Sequence, residues 1–346
     1  VDMAKLKYEF LDHYFKTNGM PMRNKIFGNI ARLSAWGSRM APLSNWAANS
    51  PIGKIMSSKL LGVHPKRQTP QFVRETFPKW FNSRQRGGNL PQSPFAKGGR
   101  AENISAGVDT VVLLNDTYMN YNYPQVGKAT VDLLEASGFK VELAEAQCCG
   151  RPMISKGLLD DAAANAAHNV NLLHTYADNG IPIIGCEPSC LLTLRDEYPQ
   201  LVKGEQAQKV AQQAYLIDEF LIMLQKEGRL ELDLKALEKK VLFHAHCHQR
   251  SLVGTAASLG ALRLAPGYLV EMVNAGCCGM AGSFGYEKEH YDVSMTIGEQ
   301  ALFPAVNAKG PEWEVAVMGV SCRQQIEHGT GRTARHLAEV LADALL

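Results

Sequence analysis

The feature that most limits what this chain can fold into is a doublet that occurs twice, Cys148-Cys149-Gly150 and Cys277-Cys278-Gly279, each set in the same order of apolar runs. Around the first doublet stand a β-branched run from Val108 to Asn115, a helical stretch from Pro124 to Gly138 and a short strand pattern from Val141 to Ala144. A helical stretch over about 158–179 and the buried-strand pattern Ile181 to Gly185, which stops at Cys186, complete this copy. The second copy repeats that text. Lys240 to His244 enters Cys247, a helix is expected over about 250–263, and Tyr268 to Val273 leads to Cys277. A helix over about 287–300 follows, and Val315 to Gly319 precedes Ser321-Cys322. Forty residues lie between Cys149 and Cys190 and 43 between Cys278 and Cys322, and both copies close on Ser-Cys.

Strand and helix patterns in alternation imply βαβ units, hence a parallel sheet with helices on its faces, and the recurrence implies two copies of one unit. The expected fold is α/β, with two pseudo-repeated parallel βαβ (Rossmann-like) domains over 108–235 and 236–346 behind an N-terminal, mostly helical basic arm and linker over 1–107.

That arm reads as a helix over 1–18, with Leu6, Phe10, Leu11, Tyr14 and Phe15 on one face and a stop at Asn18-Gly19. A second amphipathic helix is expected over about 22–48. Its apolar positions Phe27, Ile30, Leu33, Trp36, Met40, Leu43 and Trp46 suit a single face that needs burial. From about 64 to 106 the text turns to Pro, Gly, Ser, Gln and Arg, broken by Gly87-Gly88 and Gly98-Gly99, and reads as a linker without a core of its own. Residues 1–100 hold 17 Lys and Arg against 4 Asp and Glu, whereas the other 246 residues hold 19 and 30. A basic segment of this kind could lie on an acidic protein surface, an anionic membrane or nucleic acid. Packing on its own acidic body or on a neighbouring domain is the expectation, and no recognised nucleic-acid motif accompanies the charge. Arg195-Asp196-Glu197 is expected to be a solvated, self-paired helix segment.

No window holds eighteen uninterrupted apolar residues, and no secretory leader pattern opens the chain. Val1-Asp2-Met3-Ala4-Lys5-Leu6 reads instead as the inside of a helix already under way. Eight cysteines that include two adjacent pairs do not suit a disulfide scaffold in 346 residues; metal or redox thiols in a reducing, cytoplasmic setting fit better.

Thiolates hold iron clusters and zinc. Cys247, Cys277, Cys278 and Cys322 each stand just beyond a predicted strand, at the edge where open parallel sheets gather ligands. They make a complete four-thiol set. In the first copy Thr117 stands where Cys247 does, leaving Cys148, Cys149 and Cys190; Cys186 completes a set of four only if the turn Cys186 to Cys190 folds both sulfurs inward. Gly150, Gly276, Gly279, Gly282 and Gly285 suit tight turns that bring backbone amides close to a cluster. His244, His246 and His248 alternate about Cys247 on an extended segment, as metal ligands or, more commonly, as hydrogen-bonding supports around a site. No Gly-Lys-Ser/Thr ending follows the glycines, so a nucleotide P-loop is excluded.

These residues resemble the Cys-Cys-Gly domain family, whose members occur in heterodisulfide reductase, in anaerobic glycerol-3-phosphate dehydrogenase and in the iron–sulfur component of glycolate oxidase. They are most similar to the C-terminal part of fused FAD-linked dehydrogenases of the D-lactate and D-2-hydroxyglutarate type. The matching text is Asn115 to Asn122, Cys148 to Pro152, Glu187 to Cys190, His246 to Gln249 and Gly276 to Gly285, within about 108–340. The resemblance implies an iron–sulfur oxidoreductase component with a [4Fe-4S] cluster, or zinc in its place. It also implies FAD and ferredoxin-type clusters on a part that would precede this chain, a downstream electron acceptor such as a quinone, and a place in the cytoplasm or at the inner face of the membrane. The family's final Cys-x-x-Cys is incomplete here, because Glu187 and Gly319 occupy the first of those positions in the two copies. A simpler cluster or zinc is therefore expected in the second copy, rather than a noncubane cluster.

Overall fold

A computed structural model of the chain describes residues 3–86 and 110–346. Residues 87–106 of the expected linker, with Gly87-Gly88 and Gly98-Gly99, lie outside the described residues.

The arm carries α1 (Met3–Asn18), α2 (Met22–Gly28), α3 (Ile30–Arg39), α4 (Leu43–Asn49), α5 (Pro51–Leu61) and α6 (Phe77–Arg86). The single helix expected over 22–48 is thus three. Asn29 leaves helical geometry at φ −98°, ψ 30°, and Pro42 and Pro51, which lack an N–H, stand at the starts of α4 and α5. Ser50 Oγ accepts from Gly53 N–H at 3.0 Å to cap α5.

The first α/β half runs β1 (Thr110–Leu113), α7 (Thr117–Tyr121), α8 (Pro124–Ala136), β2 (Lys140–Leu143), α9 (Arg151–Ser155) and α10 (Leu159–Asp178). It continues with β3 (Ile183–Gly185), α11 (Pro188–Asp196), α12 (Tyr198–Leu201), α13 (Glu205–Gln212), β4 (Ala214–Leu216) and α14 (Ile217–Lys226). The second half runs β5 (Lys239–His244), α15 (Cys247–Leu252), α16 (Ala256–Leu262), β6 (Tyr268–Met272), α17 (Tyr291–Gln300) and α18 (Leu302–Asn307). It ends with β7 (Trp313–Val317), α19 (Val320–Thr330), β8 (Ala334–His336) and α20 (Leu337–Ala342). Both sheets are parallel throughout and have corresponding orders, β2-β1-β3-β4 and β6-β5-β7-β8. The α/β architecture read from the periodicities is therefore the architecture observed.

One core is common to the two halves. Helices α8 and α14 meet α20 and α16 over Leu113, Phe220, Phe243 and Leu341. The outer face of the first sheet packs under α10, α11 and α13, and that of the second under α18 and α19. The C-terminal strand edges then face one another: His336 Nε2 lies 3.2 Å from Cys186 O, and Val320 N–H donates to Glu187 Oε2 at 2.8 Å.

The arm meets the body, as where Lys5 pairs with Asp196 at 3.1 Å, but α2 to α4 do so with the face opposite their apolar stripe. Over α2 to α4 the buried positions are small or polar (Asn24, Gly28, Ser34, Ser38, Ala41), while Trp36 and Trp46 are 64% and 72% exposed and Leu33, Met40 and Leu43 also face outward. Close approach explains the inward face, since a Cβ on Gly28 would meet Leu158 Cδ1 at 2.3 Å. The linker expectation also needs correction: Phe77 and Phe81 of α6 are buried in the common core, and Arg67 is buried with Nε donating to Gly285 O at 2.7 Å. Nor is Arg195-Asp196-Glu197 self-paired. Arg195 binds Glu219 at 2.8 Å, Asp196 meets Lys5 at 3.1 Å, and buried Glu197 pairs with Arg151.

Candidate metal centre

In the second half, each element ends where a thiol is needed. After β5, His246 caps α15 through Nδ1, which accepts from His248 N–H at 3.3 Å, and Cys247 is the first residue of that helix. Gly319 leads from β7 into α19, so Cys322 sits in its first turn, where exposed amides favour a thiolate. Cys277 and Cys278 lie on the loop after β6. There Gly279, at φ +92°, donates its N–H to Cys277 Sγ at 3.3 Å. The four thiols form a row of neighbours, Cys247 against Cys277, Cys277 against Cys278, and Cys278 against Cys322. Cys278 and Cys322 are buried, and the other two are half-buried.

Protons are shared unevenly along this row. Hydrogen bonds from Cys247 and Cys278 hold the Cys277 thiol well below its ordinary range, and the bond from Cys278, followed by the nearby His244 and His246, does the same for Cys322. Contact with the Cys277 thiol, together with burial, raises Cys247 and Cys278. Four thiolates at this spacing repel one another unless a cation lies among them. The donor set therefore suits an iron cluster or zinc. Among the described residues, no three His, Cys, Asp or Glu side chains form a ready-made shell for a single ion; the thiols stand as a row rather than a tetrahedron.

The three histidines do not share a face, because the helix that begins at Cys247 breaks the alternation. His244 is buried in β5 against Cys322 without completing a well-formed ring hydrogen bond. His246 places Nε2 3.4 Å from Ser189 Oγ in the other half. Burial, then Arg151 and His246, hold His248 down to about 3, so it is neutral near pH 7. Gly150 and Gly279 both have positive φ, +86° and +92°. Around Gly276 and Gly282 there is nothing within 4 Å of an added Cβ, so no close approach constrains them.

The first half repeats the plan with changes. Asp116 caps α7 and Thr117 opens it, as His246 and Cys247 do for α15. Cys148 touches Cys149 and the Thr117 hydroxyl, and Cys149 touches Cys190 in the first turn of α11. Cys186 stays apart, with Sγ 3.0 Å from Thr130 Oγ1. Alternation along an extended segment explains this: Ile184 and Cys186 point into the common core and Ile183 into the outer one. The turn to Cys190 does not reverse that direction.

Glu187 fills the place of the family's missing cysteine as a strut. Its Oε1 accepts from Ser189 N–H at 3.3 Å while Oε2 accepts from Val320. A Cβ on its counterpart Gly319 would lie 2.5 Å from His246 Cδ2 and 3.2 Å from Glu187 Oε1, so the two departures interlock. Glu187, expected only as the replacement of a ligand, is thus a helix cap and strut, for which its position just before Pro188 is the one signal in the sequence. A cavity of about 370 Å³, which no local sequence pattern marks, reaches Cys148, Cys149 and Cys190 and is lined also by Asp116 and Thr117.

Comparison with known proteins identifies the family. The family model of the cysteine-rich (CCG) domain matches residues 117–195. Lactate utilization protein A of Halalkalibacterium halodurans is 31% identical over 237 residues, which are 63% of this chain and 91% of that protein. The chain belongs to the Cys-Cys-Gly cysteine-rich domain family. Other members align over the whole chain. One component of the anaerobic glycerol-3-phosphate dehydrogenase of Escherichia coli K12 is 29% identical over 348 residues, 81% of its length. D-2-hydroxyglutarate dehydrogenase of the same strain is 25% identical over 357 residues, which are the whole of this chain but only 32% of that protein.

Proposed function

We propose that this member of the Cys-Cys-Gly family is the iron–sulfur electron-transfer module of a flavin-dependent 2-hydroxy-acid dehydrogenase. It would take electrons from an FAD domain and ferredoxin-like clusters carried elsewhere, and pass them to an acceptor such as a quinone. The observation that carries this reading is the meeting of Cys247, Cys277, Cys278 and Cys322 at one sheet edge. A [4Fe-4S] cluster held there would supply one-electron transfer. The chain's own groups would tune it: Gly279 N–H donates to a ligand sulfur, His244 and His246 stand close by, and buried Cys278 and Cys322 keep water from one side. The Ser189–His246 contact ties the residue beside Cys190 to the residue beside Cys247, holding the two cysteine groups at a fixed separation.

The same four thiols suit zinc, which would make the chain a docking scaffold without redox chemistry. Anaerobic purification followed by iron, sulfide and zinc analysis decides between them. Iron and sulfide in equal amounts, with a visible absorption that dithionite bleaches, are expected; zinc with no visible chromophore overturns the electron-transfer reading.

For location, the proposal is peripheral attachment at the inner face of the membrane through the outward face of α3 to α5. Trp36, Leu43, Trp46, Ile52 and Leu60 are exposed there among Arg32, Arg39, Lys54 and Lys59. Among the described residues, no helix is long and apolar enough to cross a membrane. Sedimentation with vesicles containing anionic lipid tests this: binding that Trp36→Asp plus Trp46→Asp abolishes is expected, and binding indifferent to that change overturns it.

A further inference from the structure

We propose that Arg67, carried by the arm, is the fixed counter-charge of the four-thiol centre in the second half and sets the potential at which that centre takes up an electron. The proposal rests on the iron–sulfur reading above and concerns a residue outside the thiol row.

Arg67 is a cation only 3% exposed, and among the described residues no carboxylate pairs with it. Each of its three nitrogens meets a neutral acceptor. Nε donates to Gly285 O at 2.7 Å, Nη1 to Gln325 Oε1 at 2.8 Å and Nη2 to Ser294 Oγ at 2.9 Å, while the guanidinium lies 4.9 Å from the centroid of the Tyr291 ring. These contacts fix its place but bring no negative charge. An arginine stays protonated in a protein, and a buried charge without a partner of opposite sign is costly, so a fold that keeps one needs a negative charge nearby. The acidic groups that act on Arg67 are the phenols of Tyr286 and Tyr291 and the Cys278 thiol. Of these residue types, only a thiol that holds a metal carries a full negative charge near neutral pH. A cluster held by thiolates is an anion, and reduction adds a further negative charge that a fixed cation nearby favours.

The loop after the second doublet holds this charge behind the thiols. Gly285 N–H donates to Met280 O at 2.8 Å, which closes the loop on itself. Both of its ends press on Ser294 of α17: a Cβ on Gly279 would meet Ser294 O at 2.3 Å, and one on Gly285 would meet Ser294 Oγ at 2.7 Å. Gln325 of α19 donates from Nε2 to Ser294 O at 2.9 Å. Arg67 thus binds the same two side chains, Ser294 and Gln325, on which the doublet's glycine is packed. The arm delivers it by pairing with the far end of the loop. His64 N–H donates to Tyr286 O and Lys288 N–H to Gly62 O, both at 2.7 Å, Val63 and Glu287 form an antiparallel bridge, and the His64 ring stacks on Tyr291 with centroids 3.7 Å apart. At the first doublet the charge is balanced differently, since Arg151, which follows Gly150, is neutralised by buried Glu197.

The test is a dye-mediated redox titration of the full chain, loaded anaerobically with ferrous iron and sulfide and followed by electron paramagnetic resonance. The signal read is the one that Cys278→Ser removes. Arg67→Gln is expected to keep the iron of that centre and to make its reduction about tenfold less favourable, a fall of about 59 mV for one electron. Arg67→Lys, which keeps the charge, is expected to stay near the wild-type potential. A folded Arg67→Gln that no longer holds iron, beside an Arg67→Lys that does, also supports the proposal; loss of iron from both overturns it. Equal potentials in wild type and Arg67→Gln overturn it and leave the proposed function intact. So does a fall shared equally by Arg67→Lys, which would trace the effect to lost hydrogen bonds rather than to charge. Should Arg67→Gln fail to fold, Arg67→Met is read in its place. Failure of both to fold without metal overturns the proposal, because a counter-charge to the cluster is not needed before the cluster binds. Wild type without iron sinks the proposed function, and this proposal with it.

Discussion

The two halves share strand order, doublet position and helix starts, yet they treat their cysteines differently. In the second half four thiols lie side by side, two of them buried. In the first, three thiols border a polar cavity while a fourth cysteine faces away into the core. The difference comes from single positions at strand ends. Thr117 against Cys247 sets whether the set is complete, and Glu187 against Gly319 sets which half supplies the strut between them. One scaffold can therefore present a four-thiol set and a three-thiol set, because the sheet fixes where a side chain emerges and the residue there fixes what it offers.

The largest effect that would sharpen this comparison is loss of metal. Cys278→Ser is expected to remove nearly all iron from the second half and leave that of the first, while Cys149→Ser does the reverse. Iron and sulfide analysis beside visible spectra measures both. If either change empties both halves, the two centres are not independent and the comparison breaks.

The doublet glycines offer a second contrast, in stability. At Gly279 an alanine Cβ would combine a φ of +92° with a 2.3 Å approach to Ser294 O, and backbone cannot swing aside. At Gly150 the φ of +86° is similar, but the nearest atom is Ala162 Cα at 3.4 Å. Gly279→Ala is expected to cost about 3 kcal/mol or more, and Gly150→Ala about 1–2 kcal/mol. Equal drops in melting temperature would show that the loops are not braced differently.

Asp218 tests the seam between the halves through pH. It is fully buried on α14 and accepts from Ser258 Oγ at 2.5 Å and Gln249 Nε2 at 3.0 Å in the second half; burial, its largest influence, raises its pKa from 3.8 to about 6. A folded value above the unfolded one favours the protonated group. Its stabilising contribution is thus complete below about pH 4 and is lost as pH rises through about 6, an effect on the order of 3 kcal/mol. Wild type is expected to lose melting temperature relative to Asp218→Asn between pH 4 and 7. Parallel pH profiles for the two proteins would remove Asp218 from the account of the seam.

The smallest expected effect concerns Cys186. Cys186→Ser should leave iron content and spectra unchanged, since its thiol meets Thr130 rather than the other cysteines. A fall in iron would mean that the turn before Cys190 rearranges on metal binding, which would make the two halves more alike than the structure shows.

By itself the sequence determined the repeat, the parallel α/β order and the cysteines at the strand ends. These follow from local periodicity and from the short reach of a doublet, and neither needs the rest of the chain. It could not show which way Cys186 points, since one extended residue more or less before the helix reverses the face. Nor could it show that Glu187 reaches across to Val320, a contact between residues 133 positions apart. The face by which the arm meets the body was hidden for a related reason. Its apolar stripe predicted burial, but the body meets the small residues on the opposite side, and only the packed surfaces of α9 and α7 could select that face. The cavity beside Cys148 exists because segments distant in sequence leave space between them, with Arg32 on one wall and Asn165 on another. Local pattern fixes what each segment becomes, and long-range packing fixes which of its faces meets another segment and which remains open.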